Sequence, residues 1–212
     1  MRHIHPIQPI AVILLIIVFI YLKRKSAPPS QGPGKGGKPG EPRSAVTRPA
    51  KPQDPPEVVF ANLRRRALDS TPESLGLSVG ENEPYGAVMD MGIADSVVTL
   101  ACFSDGDAGL YYQTGGGMKG GGAHENVRKA AKEFVGLAEK ALPFMTQAPG
   151  AAAGQPLPEP GRVQFFVLTP RGAYSADLDR EALAEHAEFS ALFYSGQEVA
   201  AQMRQVQQQR SA

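Results

Sequence analysis

"YGAVMDMGIADSVVTLACFSDGDAGLYYQT", residues 85 to 114, decides the fold. It holds three short runs rich in β-branched and aromatic residues, "YGAVMDMGI", "SVVTLACF" and "AGLYYQT", parted by an Ala-Asp-Ser step and by "SDGD". Runs of that length and composition predict strands, and Asp105-Gly106 is a strong turn pair, so the stretch reads as a three-stranded antiparallel meander. Asp90 lies between Met89 and Met91. Alternation along a strand puts it on the solvent face, whereas an inward carboxylate there would be a functional candidate. Cys102, the single cysteine, reads as a small buried hydrophobe: no helix start follows closely enough to lower its pKa, and nothing places His124 or His186 beside it. Asp105 and Asp107 lack the later ligands of a calcium loop and read as turn residues.

The meander runs into "TGGGMKGGGAHENVRKA", residues 114 to 130, six glycines around Met118 and Lys119 ahead of a helix. That helix is marked by Val127, Ala131, Phe134, Val135, Ala138 and Leu142, spaced as one buried face. A glycine loop feeding a helix start offers N–H groups and a favourable dipole to an anion. The candidate ligand- or partner-binding residues are therefore Gly115, Gly116, Gly117, Lys119, Gly120, Gly121, Gly122, His124 and Arg128. Gly115, Gly117 and Gly120 match G-x-G-x-x-G formally, but the preceding strand belongs to a meander and no βαβ unit with a ribose-binding acid follows. Nor does a G-K-[ST] close a P-loop. The competing reading is a turn that needs positive φ or close backbone packing. Six glycines in eight positions lose much chain entropy on ordering, and something must offset it.

Upstream, "EVVFANLRRRALDS" predicts a helix with Val59, Leu63, Ala67 and Leu68 as its apolar side and Arg64, Arg65 and Arg66 on a solvated basic side; a basic side of this kind also suits an anionic surface or partner. Downstream, after a loop from Pro143 to Gly161, "GRVQFFVLTPRGAYSADL" reads as a hairpin turning at Pro170 to Gly172, and Asp179 caps a final helix. Leu183, His186, Ala187, Ser190, Phe193 and Tyr194 mark one side of that helix, with His186 at the core boundary. Gly196 reads as an interruption, after which Val199, Met203 and Val206 continue an apolar stripe able to pack back on the body or pair with a second copy. No G-x-S-x-G elbow is present, no catalytic set is assembled, and neither a cofactor nor a metal is implied.

The amino terminus carries a different signal. "PIAVILLIIVFIYL", extended back to Ile4, gives about the 20 apolar residues that cross a bilayer. Lys23, Arg24 and Lys25 follow at once, against Arg2 alone before it, and no small-x-small site intervenes, so residues 1–25 read as an uncleaved single-pass anchor with the body in the cytoplasm. Residues 26–56 read as a disordered Pro/Gly/Lys tether. Across residues 23–56 eight Lys and Arg stand against two acids, whereas from residue 57 onward 13 stand against 19 Asp and Glu. An acidic body on a basic tether is held off anionic headgroups as a whole, and nucleic-acid binding is not expected.

The expected architecture is an α+β body, residues 57–212, with an antiparallel sheet of about five strands in the order α-β-β-β-α-β-β-α and helices mainly on one face. In element order the body resembles profilin-like and roadblock-type modules, and that resemblance implies partner binding or dimerisation rather than catalysis. The functional expectation is a membrane-tethered interaction or sensing module with the glycine loop as contact surface. Its alternatives are an enzyme or binding protein for a phosphorylated or nucleotide-like ligand at the same loop, and a structural spacer that assembles through the final helix.

Overall fold

Strand β1, Gly86–Ile93, is the hub of the sheet because nearly every residue in it is buried, on both faces. It pairs antiparallel with β2, Ser96–Phe103, on one side and with β6, Val163–Thr169, on the other. Strands β3 (Ala108–Tyr112), β4 (Gly117–Met118), β5 (Thr146–Gln147) and β7 (Gly172–Leu178) complete a seven-stranded sheet in the order β4-β3-β2-β1-β6-β7-β5, antiparallel throughout. The five longer strands are those the sequence predicts; the two edge strands are each a single pair of residues, too short to carry a period. This computed structural model describes residues 54–148 and 152–211. The apolar run and most of the tether lie outside the described residues, and among these no helix is long and apolar enough to cross a membrane. Residues 53–212 form one compact unit.

The helices are α1 (Pro56–Leu68), the single turn α2 (Pro72–Leu75), α3 (Glu125–Ala141), α4 (Arg180–Glu185) and α5 (Ala187–Ser211). On one face of the sheet, α3 and α5 pack over Met89, Leu100, Phe165 and Val167 with Val127, Phe134, Phe189, Leu192 and Met203. Each of these large side chains contributes about 1.5–3 kcal/mol by leaving water. The predicted stripe of α3 is buried from Val127 to Ala138, with Leu142 half-buried just beyond the helix end.

Two expectations about the final helix change. Asp179 does cap it, its Oδ1 accepting from the Ala182 N–H at 2.9 Å, but the break comes at His186, which ends α4 and is exposed. Gly196 does not interrupt α5. A side chain there would run into Met89 and Phe134, as close as 2.6 Å, so glycine lets the helix close on the sheet. Val199, Met203 and Val206 are spent on the body's own core.

The larger correction concerns the opposite face. Helices were expected mainly on one side, and the two longest are there, yet α1 covers the second face together with Tyr85, Ala148 and Ala152. That layer buries Val88, Ala101, Phe166 and Leu168. Asp90, expected in solvent, shares this face with Val88 and is fully buried.

Candidate functional site

The glycine segment is folded along its length rather than slack. From β3 the chain turns at Gly115, where the N–H bonds back to the Tyr112 carbonyl at 2.9 Å. It then forms β4, in which Gly117 pairs with Tyr111 and Met118 with Leu110. Met118 points into the main core. A 3-10 turn, Gly121–Ala123, then leads through His124 into α3. Gly117 shows why a side chain is barred: its φ is +136°, and a Cβ would stand 2.2 Å from the Leu110 carbonyl oxygen. Positive φ recurs at Gly115, Gly116 and Gly120. Gly121 and Gly122 instead pass against Ala108, Val127 and Asp107 with no room for a Cβ. Backbone fit thus accounts for each glycine, and the ordering cost is offset by the β4 pairing and the Met118 burial.

The polar candidates around the segment do not converge. Lys119 is exposed. Arg128 is held by Glu125 and by the Gly122 carbonyl, 3.2 Å from its Nη1; its stem lies over Gly106. Glu125 is drawn below the usual carboxylate range, chiefly by that hydrogen bond from Arg128. His124 accepts from Arg210, near the end of α5, at 2.8 Å. Asp105 and Asp107 act as turn residues: Asp105 Oδ1 accepts the Asp107 N–H at 2.8 Å, and Asp107 Oδ1 accepts the Gly122 N–H at 3.2 Å. The meander's turn is thereby tied to the glycine segment.

A second polar centre was not expected. Arg64 Nε donates to Asp90 Oδ2 at 2.7 Å, and the two residues are only 5% and 0% exposed. Thr99 donates its hydroxyl to the other oxygen of Asp90. Arg64 Nη1 reaches the carbonyls of Ala153 and Gln155 at 3.4 and 3.3 Å, and the guanidinium lies over the Phe166 ring, 5.4 Å from its centroid. Register explains the assembly, because Asp90 stands opposite Thr99 in β2 and Gln164 in β6, so three polar residues fall in one row. Burial pushes the Asp90 carboxyl up, while Arg64 and Thr99 favour its ionised form. Among the described residues, Arg64 Nη2 and Gln164 Oε1 are buried without a hydrogen-bond partner, which raises the cost of this layer.

One sequence signal pointed toward Arg64. Three consecutive arginines on a helix span roughly 200° of its circumference, so they cannot all share one solvated side. Arg65 and Arg66 are exposed and Arg64 is not, and on the apolar side Ala67 and Leu68 are buried as expected whereas Val59 is exposed and Phe60 is buried instead. For Asp90 the alternation was read correctly but the second covering layer was missing from the picture.

The remaining reactive candidates are accounted for structurally. Cys102 is fully buried, and that burial, with Asp107 nearby, pushes its thiol well above the ordinary cysteine value. His186 is exposed between the rings of Phe144 and Phe189, at centroid distances of 6.2 and 5.9 Å. Among the described residues, no group of three His, Cys, Asp or Glu is placed to hold a metal ion. No family model, curated protein or solved structure matches the chain, so the likeness to profilin-like and roadblock-type modules is one of element order alone.

Proposed function

We propose that the chain is a membrane-tethered, cytoplasm-facing protein-interaction or sensing module, with residues 114–124 as its contact surface. The observation that carries this reading is the fixed glycine segment at the outermost strand of the sheet, with Lys119 exposed beside it. Glycine lets a partner backbone approach closely, and an edge strand offers it unpaired N–H and C=O groups. The set backbone means that binding orders little further chain, so little of the contact energy is lost to entropy.

A photo-crosslinking residue placed at Lys119 of the full chain in membranes tests the reading, with one at the exposed Glu139 of α3 as control. A discrete adduct is expected from position 119 only, and Gly117→Val should abolish it by displacing β4. Equal adducts from both positions, or none, would count against the segment. The runner-up, a phosphorylated or nucleotide-like ligand at the same loop, predicts a saturable rise in melting temperature of residues 53–212 with inorganic phosphate or nucleotides, lost in Lys119→Ala. It is weakened by Arg128 and His124 being engaged within the fold.

A further inference from the structure

The outer face of α1 is a cationic surface on an acidic body. At 3.6 residues per turn, Val58, Val59, Asn62, Arg65 and Arg66 fall within an arc of roughly 120°, opposite Phe60, Arg64 and Ala67. The buried set packs inward, while Val58 and Val59 are 45% and 42% exposed and both outer arginines are exposed. Arg65 donates to Asn62 Oδ1 at 2.7 Å, which holds its guanidinium along this face. Glu57 in the first turn lies outside the arc and Asp54 precedes the helix, while Asp69, just past the last turn, continues the arc beside the two arginines and leaves the face with a net positive charge.

This face also begins where the tether stops. Arg43, Arg48 and Lys51 precede α1 in sequence, in a segment whose Lys and Arg outnumber its acids eight to two. We propose that the outer face of α1 docks on an anionic lipid surface, with Arg65 and Arg66 on headgroup phosphates and Val58 and Val59 against the interface. The body as a whole is acidic, so it meets the bilayer by this face and keeps its acidic remainder, with most of α3 and α5, turned away. Each arginine near an anionic surface strengthens association about fivefold. That is modest, but a body joined in one chain to a membrane anchor meets the bilayer at a raised effective concentration. A contact too weak to recruit a free body is then enough to orient a tethered one.

The inference rests on residues 4–22 being a membrane anchor, and the test separates the two. Because Cys102 is the only cysteine and is fully buried, Asn62→Cys supplies the one accessible thiol for a polarity-sensitive fluorophore. The labelled full chain is reconstituted in phosphatidylcholine vesicles with and without phosphatidylglycerol, and Glu133→Cys on α3 serves as control. With phosphatidylglycerol, the label at 62 should shift to the blue and be quenched by brominated lipid several-fold more than the label at 133. Arg65→Glu with Arg66→Glu, or high salt, should remove the difference. Docking is overturned if positions 62 and 133 behave alike, or if the shift survives charge reversal. Protection of position 62 that needs an added protein fraction, and not phosphatidylglycerol, would give the face to a protein partner and overturn the lipid assignment. A chain that fails to float with vesicles at all removes the anchor, and the docking with it.

Discussion

The glycine segment and the Arg64–Asp90 pair solve opposite problems. In the segment, side chains are absent so that backbone can pass against backbone, and the polar groups around it stay at the surface. At the pair, two charged side chains are carried into an apolar layer, where desolvation works against their attraction. The segment was conspicuous in sequence and turns out to be well explained by local fit. The pair was inconspicuous and turns out to join α1 to β1 within a buried layer. Conspicuous composition marks unusual backbone, whereas unusual energetics depends on what covers a residue.

Breaking the pair should give the largest effect. Asp90→Ala strands the Arg64 charge and should lower stability by about 3–5 kcal/mol in chemical denaturation of residues 53–212. Arg64→Met with Asp90→Leu should return stability to the parent value or above it, because no charge is then buried. A double replacement as damaging as the single one would mean that the pair stabilises α1 outright.

Gly117→Val comes next, at about 2 kcal/mol, since it forces a branched side chain onto positive φ against the Leu110 carbonyl. A neutral result would mean that β4 is free to detach. Smaller again is the pH response of Asp90. With its folded value raised by burial, the native chain keeps a proton that the unfolded chain releases just above the ordinary aspartate value of 3.8. Stability relative to Asp90→Asn should therefore be greatest below that value and fall as pH rises through the folded one. Melting curves of both proteins across acid pH give the sign, and a gap that widens with pH would show that Arg64 and Thr99 outweigh burial. Lys119→Ala should move stability by no more than about 0.5 kcal/mol, because the side chain is exposed. On the phosphorylated-ligand reading the same change should nonetheless remove binding, whereas a partner held by the shape of the segment should survive it, and that split, read beside a silent melt, separates the two.

Much of the fold was legible because it follows from local periodicity. The meander over residues 85–114, the apolar stripe of α3, the Pro170–Gly172 hairpin and the Asp179 cap each depend on residues within a few positions of one another. The edge strands β4 and β5 were not legible, since a two-residue pairing has no pattern to read. The break at His186 and the continuity through Gly196 were misread for a related reason. Glycine disfavours a helix in isolation by about 1 kcal/mol, and only contact with Met89 and Phe134 shows what offsets it.

The sequence by itself determined that residues 57–212 would form an antiparallel sheet with helices, and which face of α3 would be apolar, because those patterns are written at periods of two and 3.6 residues. Only the tertiary structure decided that a second layer closes over β1, turning Asp90 from an expected surface carboxylate into a buried partner for Arg64. The physical reason is distance along the chain. The two residues lie 26 positions apart, on elements whose separate patterns say which way each side chain points but not what arrives to cover it.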